Sequence, residues 1–208
     1  MSTRQNPLYP IFLKLHQLDM LIVGAGEVGY EKVSFMLKSS PQARITMVAP
    51  WVNPEITELL ARTPEHQVRI VRKPFELEDL EGRDLVVAAT NIPELNKEVH
   101  AAAKQRGILI NVADTPALCD FYLGSIVTRG DLKVAISTNG KSPTFAKRFR
   151  QLLEASLPAE TTDLLDHLKA FRDTLGGDFE HKVKELNQLT ASILEAQATH
   201  TRNENTHS

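Results

Sequence analysis

Residues 20–29 read Met-Leu-Ile-Val-Gly-Ala-Gly-Glu-Val-Gly, and this stretch decides the fold class. Its first four residues form an apolar run that predicts a β-strand, and apolar residues at helical spacing follow from Val28 to Leu37. A strand, a Gly-x-Gly-x-x-Gly turn and a helix, in this order, indicate a dinucleotide-binding unit whose phosphates meet the helix N-terminus.

The residues of the turn have separate predicted roles. Gly24 permits the tight turn, Gly26 lets the backbone approach a pyrophosphate, and Gly29 lets the helix pack against the strand. Glu27 and Val28 supply helix N-terminal amides that bind phosphate. All five are therefore predicted to bind the cofactor.

The next predicted strand lacks the acid that usually accepts the ribose hydroxyls at its end. This strand, Ile45–Val48, is followed by Ala49-Pro50-Trp51, and no acid lies between Glu31 and Glu55. No arginine follows the strand either, so the pattern does not decide between NAD and NADP. Asn53 or backbone groups are left as candidate ribose ligands.

Strand-like and helix-like segments alternate through the first half of the chain. The predicted strands are 11–15, 20–23, 45–48, 68–71, 85–89 and 108–112, the first of them at a sheet edge. Helical segments separate the others, and Pro93 and Gly107 mark the start and end of one helix. This alternation predicts an α/β fold, a Rossmann-like doubly wound parallel sheet with right-handed connections.

Beyond residue 112 the pattern changes. Ser125–Arg129 and Leu132–Thr138 flank a Gly-Asp pair, which predicts a β-hairpin. Ser142-Pro143 predicts the start of a helix, with serine as N-cap and proline in the first turn. Helical spacing resumes after Thr161, while the tail beyond Gln197 is polar and is expected to be disordered.

Two strand ends carry further candidate site residues. Thr90 and Asn91 follow the strand 85–89, where small neighbours let a cofactor lie against the strand tip. Thr90 either hydrogen-bonds that cofactor or caps the helix that follows.

Asp114 follows the strand 108–112 at the carboxyl edge of the sheet, where open α/β sheets bind their ligands. A carboxylate there can accept a proton while a hydride leaves to a nicotinamide. An aspartate before Thr-Pro also forms Asx turns, in which its side chain accepts a backbone N–H. The sequence leaves both roles open.

Composition restricts the class of protein. The 208 residues are 42% apolar and 24% charged, as in a soluble globular protein. No apolar run is long enough to cross a bilayer, the N-terminus lacks a signal pattern, and the single cysteine, Cys119, fits a reducing compartment. We therefore expect a cytoplasmic protein with no membrane partner.

The net charge of −2 does not favour nucleic acid as a partner. The histidines and Cys119 show no metal-ligand spacing, so no metal site is expected.

Positive charge is concentrated between Ser125 and Arg150, where six basic residues accompany one acid. They are Arg129, Lys133, Lys141, Lys147, Arg148 and Arg150. The segment favours an anionic ligand, although a solvated position is the better explanation for any one of these side chains alone. The predicted helix N-terminus at Ser142 adds backbone donors for a carboxylate.

Together these residues resemble the precorrin-2 dehydrogenase/sirohydrochlorin ferrochelatase family of siroheme biosynthesis, from about Tyr9 to Leu157. The markers are 10–15, 21–29 with Lys32, 87–90, Asn111-Val112-Ala113-Asp114, Cys119-Asp120-Phe121, Ser125-Ile126-Val127 and Val134-Ala135-Ile136-Ser137-Thr138-Asn139-Gly140-Lys141-Ser142-Pro143. The last two are far more specific than the glycine turn. Gly29 is a departure, since many members carry alanine there, and it is not expected to disturb phosphate binding.

The resemblance implies an NAD-binding Rossmann domain over 1–112, a dimerisation and substrate segment over 113–157 and a C-terminal helical region over 158–208, assembled as a homodimer. It implies oxidation of precorrin-2 to sirohydrochlorin with NAD as hydride acceptor, and in some members insertion of Fe²⁺ to give siroheme. The family's essential aspartate falls on Asp114. Precorrin-2 carries eight carboxylates, which would account for the basic segment. The candidate substrate contacts are Asn111, Ser137, Thr138, Lys141 and Ser142.

Two other functions stay open on the sequence. A non-catalytic NAD(H)-sensing Rossmann module would use the glycine turn as a ligand-gated switch, and a chelatase alone would not need that turn. Asp114 and the basic segment favour the dehydrogenase. The sequence does not decide whether iron is inserted, or whether cobalt is an alternative. Some family members also carry a uroporphyrinogen methyltransferase domain, for which these 208 residues leave no room.

Overall fold

The computed structural model describes residues 6–158, 161–176, 180–188 and 190. Its central element is a five-stranded parallel sheet with β1 at Met20–Ala25, β2 at Arg44–Val52, β3 at Gln67–Val71, β4 at Leu85–Ala88 and β5 at Leu109–Val112. The strand order is β3-β2-β1-β4-β5, so the direction of strand addition reverses between β1 and β4. The predicted Rossmann-like α/β fold is confirmed.

Helices connect the strands of the sheet and follow it. They are α1 Glu27–Ser39, α2 Pro54–Ala61, α3 Pro93–Gln105, α4 Pro143–Ser156 and α5 Thr161–Thr174, with 3-10 turns at Leu77–Leu80 and Pro116–Leu118. A two-stranded antiparallel hairpin, β6 Ser125–Arg129 with β7 Leu132–Ile136, lies between the sheet and α4 in the chain, as predicted. Residues 180–188 are also helical.

The apolar run of β1 is buried on both faces of the sheet, because successive side chains of a strand point to opposite sides. Met20 and Ile22 belong to a core cluster with residues of α1 and α2. Leu21 and Val23 belong to a second cluster with residues of α3. Burial of one side chain of this size contributes about 1.5–3 kcal/mol. β1 therefore fixes the position at which the glycine turn leaves the sheet.

The predicted edge strand at 11–15 is wrong. This segment has no strand pairing, and its only backbone link to the sheet region is the Leu15 carbonyl, which accepts from Arg44 N at 3.0 Å. Ile11 and Phe12 are 59% and 67% exposed. A strand is stabilised by packing of its side chains. Leu15 packs against the core, but Ile11 and Phe12 are too exposed to supply such packing.

The described residues belong to two compact units. The first comprises Met1–Val127 and Val134–Leu152, and the second comprises Thr128–Lys133 and Leu153–Ser208. The division at 112 and 157 expected from the sequence stays a prediction. The expected disordered tail beyond Gln197 lies outside the described residues.

The start of α4 is confirmed in detail. The Ser142 hydroxyl accepts a hydrogen bond from Phe145 N at 3.1 Å, which is the N-cap geometry that a serine before proline predicts. Within the part of the chain that the structure describes, no helix combines the length and apolar character needed to span a bilayer.

Candidate functional site

A cavity of about 550 Å³ lies where β1 and β4 end. Open α/β sheets bind ligands at this place, outside the carboxyl ends of two strands between which the strand order reverses. The predicted cofactor residues Gly24, Gly26, Glu27, Val28, Thr90 and Asn91 all line it. Its remaining wall is largely apolar and includes Pro50, Trp51, Pro74, Phe75 and Leu95.

The glycines of the turn are required by close backbone contacts. Gly24 has φ +106°, and a Cβ there would lie 2.5 Å from the Ala89 carbonyl oxygen. Gly29 does not line the cavity, but a Cβ there would overlap the carbonyl oxygen of Gly24. Gly29 therefore sets the distance between helix and strand, as predicted.

Gly26 differs from the other two glycines. Its φ of −80° suits any residue, and a Cβ at this position would meet no atom within 4 Å. The missing side chain therefore leaves free space beside the backbone at the N-terminus of α1. No side chain caps this helix end, so its first amides are available to an anion. Free space and uncapped amides together fit the pyrophosphate of a dinucleotide.

Glu27 and Asn53 are linked at the wall of the cavity. Asn53 is 3% exposed, its Nδ2 donates to Glu27 Oε1 at 2.9 Å, and its Oδ1 accepts from Glu55 N at 3.0 Å. The Asn53 amide thus caps α2 and holds Glu27, and it does not line the cavity. Among the two ribose candidates left by the sequence, the geometry favours backbone groups.

Thr90 makes hydrogen bonds within the loop before α3 and does not cap this helix, whose N-cap residue is Ile92 and which has no side-chain cap. Its hydroxyl oxygen accepts from Ile92 N at 3.1 Å and lies 2.7 Å from Asn96 Oδ1, to which it donates. Asn96 Nδ2 in turn donates to the Thr90 carbonyl at 3.0 Å. These bonds fix the loop after β4, while Thr90 and Asn91 still line the cavity.

Asp114 occupies a left-handed backbone conformation with φ +57°. It lies in a turn closed by a hydrogen bond from Thr115 N to the Val112 carbonyl at 3.2 Å. An Asx turn is excluded, because the residue two positions on is Pro116, which has no N–H. Asp114 is exposed, and its carboxylate makes no hydrogen bond or ion pair within the described residues. The side chain therefore faces solvent, open to a ligand.

The thiol of Cys119 holds the turn that carries Asp114. Its Sγ accepts from Val112 N at 3.3 Å and lies 3.2 Å from the Val112 carbonyl and 3.4 Å from the Thr115 carbonyl. Burial raises the pKa of this thiol, so it stays protonated and can donate to one of those carbonyls. The left-handed conformation of a non-glycine residue costs about 1–2 kcal/mol, and these contacts oppose its relaxation.

Asp120 ties the same segment to β5 and was not singled out by sequence reasoning as a site residue. It accepts from Ile110 N at 3.1 Å and from Lys104 Nζ at 2.6 Å. Burial favours the neutral acid, but the hydrogen bonds from Lys104 and Ile110 outweigh it and lower the pKa of Asp120. The only sequence signal was the Cys-Asp-Phe marker at 119–121.

A second, smaller cavity of about 290 Å³ lies beside the later turns of α1. Ser137 and Thr138, two of the predicted substrate residues, line it together with Lys32. Lys141 and Ser142 do not line it. Ser142 is engaged in capping α4, as the sequence predicted.

Asn111 and Asp114 lie apart from both cavity walls. Asn111 is buried, and its Nδ2 donates to the Phe121 carbonyl at 2.8 Å. Its amide therefore holds the segment after Asp114 in place, and its role as a substrate contact stays a prediction.

The basic segment is only partly available to a ligand. The Arg129 guanidinium donates to the Glu154 carbonyl near the end of α4, where positive charge stabilises a helix. Arg148 donates to Gln151 at 3.1 Å. No cluster of three or more metal-binding side chains occurs within the described residues.

Two family models match the chain. One, described as "Putative NAD(P)-binding", covers residues 11–125, and one described as "Sirohaem biosynthesis protein central" covers residues 129–156. The first match contains the whole parallel sheet and the cavity at the glycine turn. The fold and the cavity thus define the class of protein to which this chain belongs, the Rossmann-like NAD(P)-binding proteins.

Named relatives of this chain support both family-model matches. Siroheme synthases of Nitrosomonas europaea and Pseudoalteromonas atlantica are each 38% identical, over 83% and 85% of this chain. The aligned regions are 36% and 37% of those proteins, so the chain spans little more than a third of their length. A solved structure named "SirC, precorrin-2 dehydrogenase" is 29% identical with a TM-score of 0.67, covering 88% of this chain and 89% of that one. The chain belongs to the precorrin-2 dehydrogenase/sirohydrochlorin ferrochelatase family of siroheme biosynthesis.

Proposed function

We propose that this protein oxidises precorrin-2 to sirohydrochlorin with NAD⁺. The observation that carries the proposal is the cavity over the uncapped N-terminus of α1, with the free Asp114 carboxylate at the same carboxyl edge of the sheet. The solved relative named as a precorrin-2 dehydrogenase supports the reaction. A sensing module would need the cavity but would have no use for Asp114.

The oxidation removes two hydrogens from the macrocycle, one as hydride with the bonding electron pair and one as a proton. Bound NAD⁺ supplies the hydride acceptor. The amides at the start of α1 hold the pyrophosphate, and the free space at Gly26 lets it approach. The Asp114 carboxylate accepts the proton, or orients the group that does.

The charge of the cofactor cavity favours NAD over NADP. Its lining contains one ionisable side chain, the acid Glu27, and no lysine or arginine. A 2′-phosphate bound there would have no cation in the lining to pair with and would lie in the field of a carboxylate. NADP is therefore expected to bind more weakly than NAD.

We further propose that the protein forms a homodimer in the cytoplasm. Phe145, Phe149 and Leu152 are 60%, 38% and 58% exposed on α4, and the two phenylalanine rings stack at 5.9 Å. They follow the i, i+4, i+7 spacing of one helix face. We infer that this face packs against a second copy of the chain.

The test is absorbance of NADH after mixing the protein, NAD⁺ and precorrin-2. Formation of NADH together with sirohydrochlorin is expected. Binding of NAD⁺ without any NADH formation would instead support the sensing module. The same preparation with sirohydrochlorin and Fe²⁺ measures iron insertion, which the family resemblance leaves open.

A further inference from the structure

The smaller cavity is too small to enclose the proposed substrate. Pockets for drug-sized ligands measure about 300–1,000 Å³, and this one has about 290 Å³. A macrocycle with eight acidic side chains does not fit inside, whereas one acetate or propionate arm does. The cavity is therefore suited to the edge of such a molecule.

Lys32 is the only lysine or arginine among the residues that line either described cavity. Its side chain is 21% exposed and pairs with Glu31 at 2.9 Å, whose side chain is 68% exposed. Adjacent residues on a helix do not face each other, and exposed ion pairs contribute little. Glu31 also lines this cavity, but its exposed side chain can turn into solvent while Lys32 stays at the wall.

The other polar groups of the wall suit a carboxylate. Ser125 and Ser137 contribute hydroxyl groups, whereas Phe35, Met36 and Ile136 contribute apolar surface. The Thr138 hydroxyl also lines the wall, but it donates to the Ser142 carbonyl at 3.3 Å and accepts from Ser142 N at 3.2 Å. A methylene stem can pack on the apolar part while its carboxylate meets Lys32 and the hydroxyls.

Both cavities share α1. The cofactor cavity touches its first residues, Glu27 and Val28, and the smaller cavity touches Lys32 and Met36 one to two turns further along. An anion held by Lys32 would thus lie along the same helix whose first turn borders the cofactor cavity.

We propose that Lys32 binds one carboxylate arm of the tetrapyrrole in the smaller cavity and displaces its own partner Glu31 in doing so. The inference rests on the proposed function, because it assumes a polycarboxylate macrocycle as the substrate. It assigns to Glu31 the role of a competing anion. Removal of Glu31 charge should then strengthen binding, an effect that a merely structural ion pair would not give.

The experiment measures the dissociation constant of uroporphyrin, an aromatic octacarboxylate, by fluorescence titration of the full chain. Lys32→Met is expected to weaken binding about tenfold to a hundredfold, the range of one charge-assisted hydrogen bond. Lys32→Arg should keep most of the affinity, and Glu31→Gln should increase it. Lys38→Met removes the same charge from an exposed position of the same helix and should leave the affinity unchanged.

NAD⁺ affinity serves as the fold control, since Lys32 does not line the cofactor cavity. Wild-type protein that does not bind uroporphyrin, an unchanged affinity in Lys32→Met, or an equal loss in Lys38→Met would overturn the inference. Turnover of precorrin-2 by the wild type tests the proposed dehydrogenase function separately from the role assigned to Lys32. If the wild type oxidises precorrin-2 and Lys32→Met has a normal KM, only the Lys32 assignment fails.

Discussion

At the scale of single residues, the site depends on backbone positions that few residue types can occupy. Gly24 is restricted by its positive φ and by the Ala89 carbonyl, and Gly29 by the carbonyl of Gly24. Gly26 is restricted by neither. The absence of a side chain at position 26 is therefore explained by dinucleotide binding and not by the fold. A substitution at this position is expected to remove dinucleotide binding without unfolding the protein.

Gly26→Asp is expected to abolish NAD⁺ binding while the protein stays folded. The new side chain enters free space, but it brings bulk and negative charge to the place of the pyrophosphate. Calorimetric titration with NAD⁺ and a thermal unfolding curve measure the two effects. NAD⁺ affinity equal to that of the wild type would remove the phosphate-turn assignment, whereas Gly24→Ala, the matched control, should destabilise the fold itself.

Asp114→Asn tests the proposed proton acceptor. Asparagine tolerates the left-handed conformation as well as aspartate does, so the turn held by Cys119 is retained and only the basicity is lost. Dehydrogenation should fall by about 10²–10⁴ in kcat, with little change in NAD⁺ affinity. Turnover close to that of the wild type would leave Asp114 without a catalytic role.

At the scale of elements, the segment after Asp114 is attached to β5 by several side chains and by one backbone bond, from Asp120 N to the Ile110 carbonyl at 2.8 Å, and not by a regular ladder. Asn111 donates to the Phe121 carbonyl, Cys119 bonds both sides of the turn, and Asp120 joins Ile110 and Lys104. This attachment orients the proposed proton acceptor, because the left-handed turn is a strained conformation that packing and hydrogen bonds must maintain.

Asp120→Asn is expected to lower stability in a pH-dependent way. The folded pKa of Asp120 is depressed, so its contribution is present above the unfolded value of about 3.9 and is lost as the pH falls through the folded pKa. At pH 7 the loss should be about 1 kcal/mol after allowance for solvent screening. Urea unfolding at pH 7 and pH 3 checks this, with Asp131→Asn at an exposed position as control. An equal loss at both pH values would contradict the ion-pair explanation.

At the scale of the whole molecule, the proposed assembly rests on an apolar face of α4 that is exposed within the described residues. Phe145, Phe149 and Leu152 align on α4, within the segment matched by the model of the central sirohaem biosynthesis region. Exposed apolar patches of this kind mark interaction sites. A second copy of the chain is the partner that we propose.

Sedimentation of the full chain is expected to show a stable dimer at micromolar concentration. Phe145→Glu places a charge on the exposed face and should shift the protein toward monomer. Leu77→Glu changes another exposed apolar residue away from α4 and should not affect assembly. A wild-type monomer at this concentration would exclude the proposed dimer, and a dimer unaffected by Phe145→Glu would place the interface elsewhere.

The sequence by itself determined the parallel sheet and the glycine turn, because a buried apolar run, a positive-φ glycine and a helix start are properties of neighbouring residues. It also located Ser142 as a helix cap. It could not determine that 11–15 pairs with no strand, since pairing depends on which sheet edges the rest of the chain leaves open. Only the tertiary structure brought Lys32 to one wall with Ser137 and Thr138, and Cys119 to the turn of Asp114. Those contacts join residues distant in the chain, and they follow from how α1, β5 and the hairpin pack.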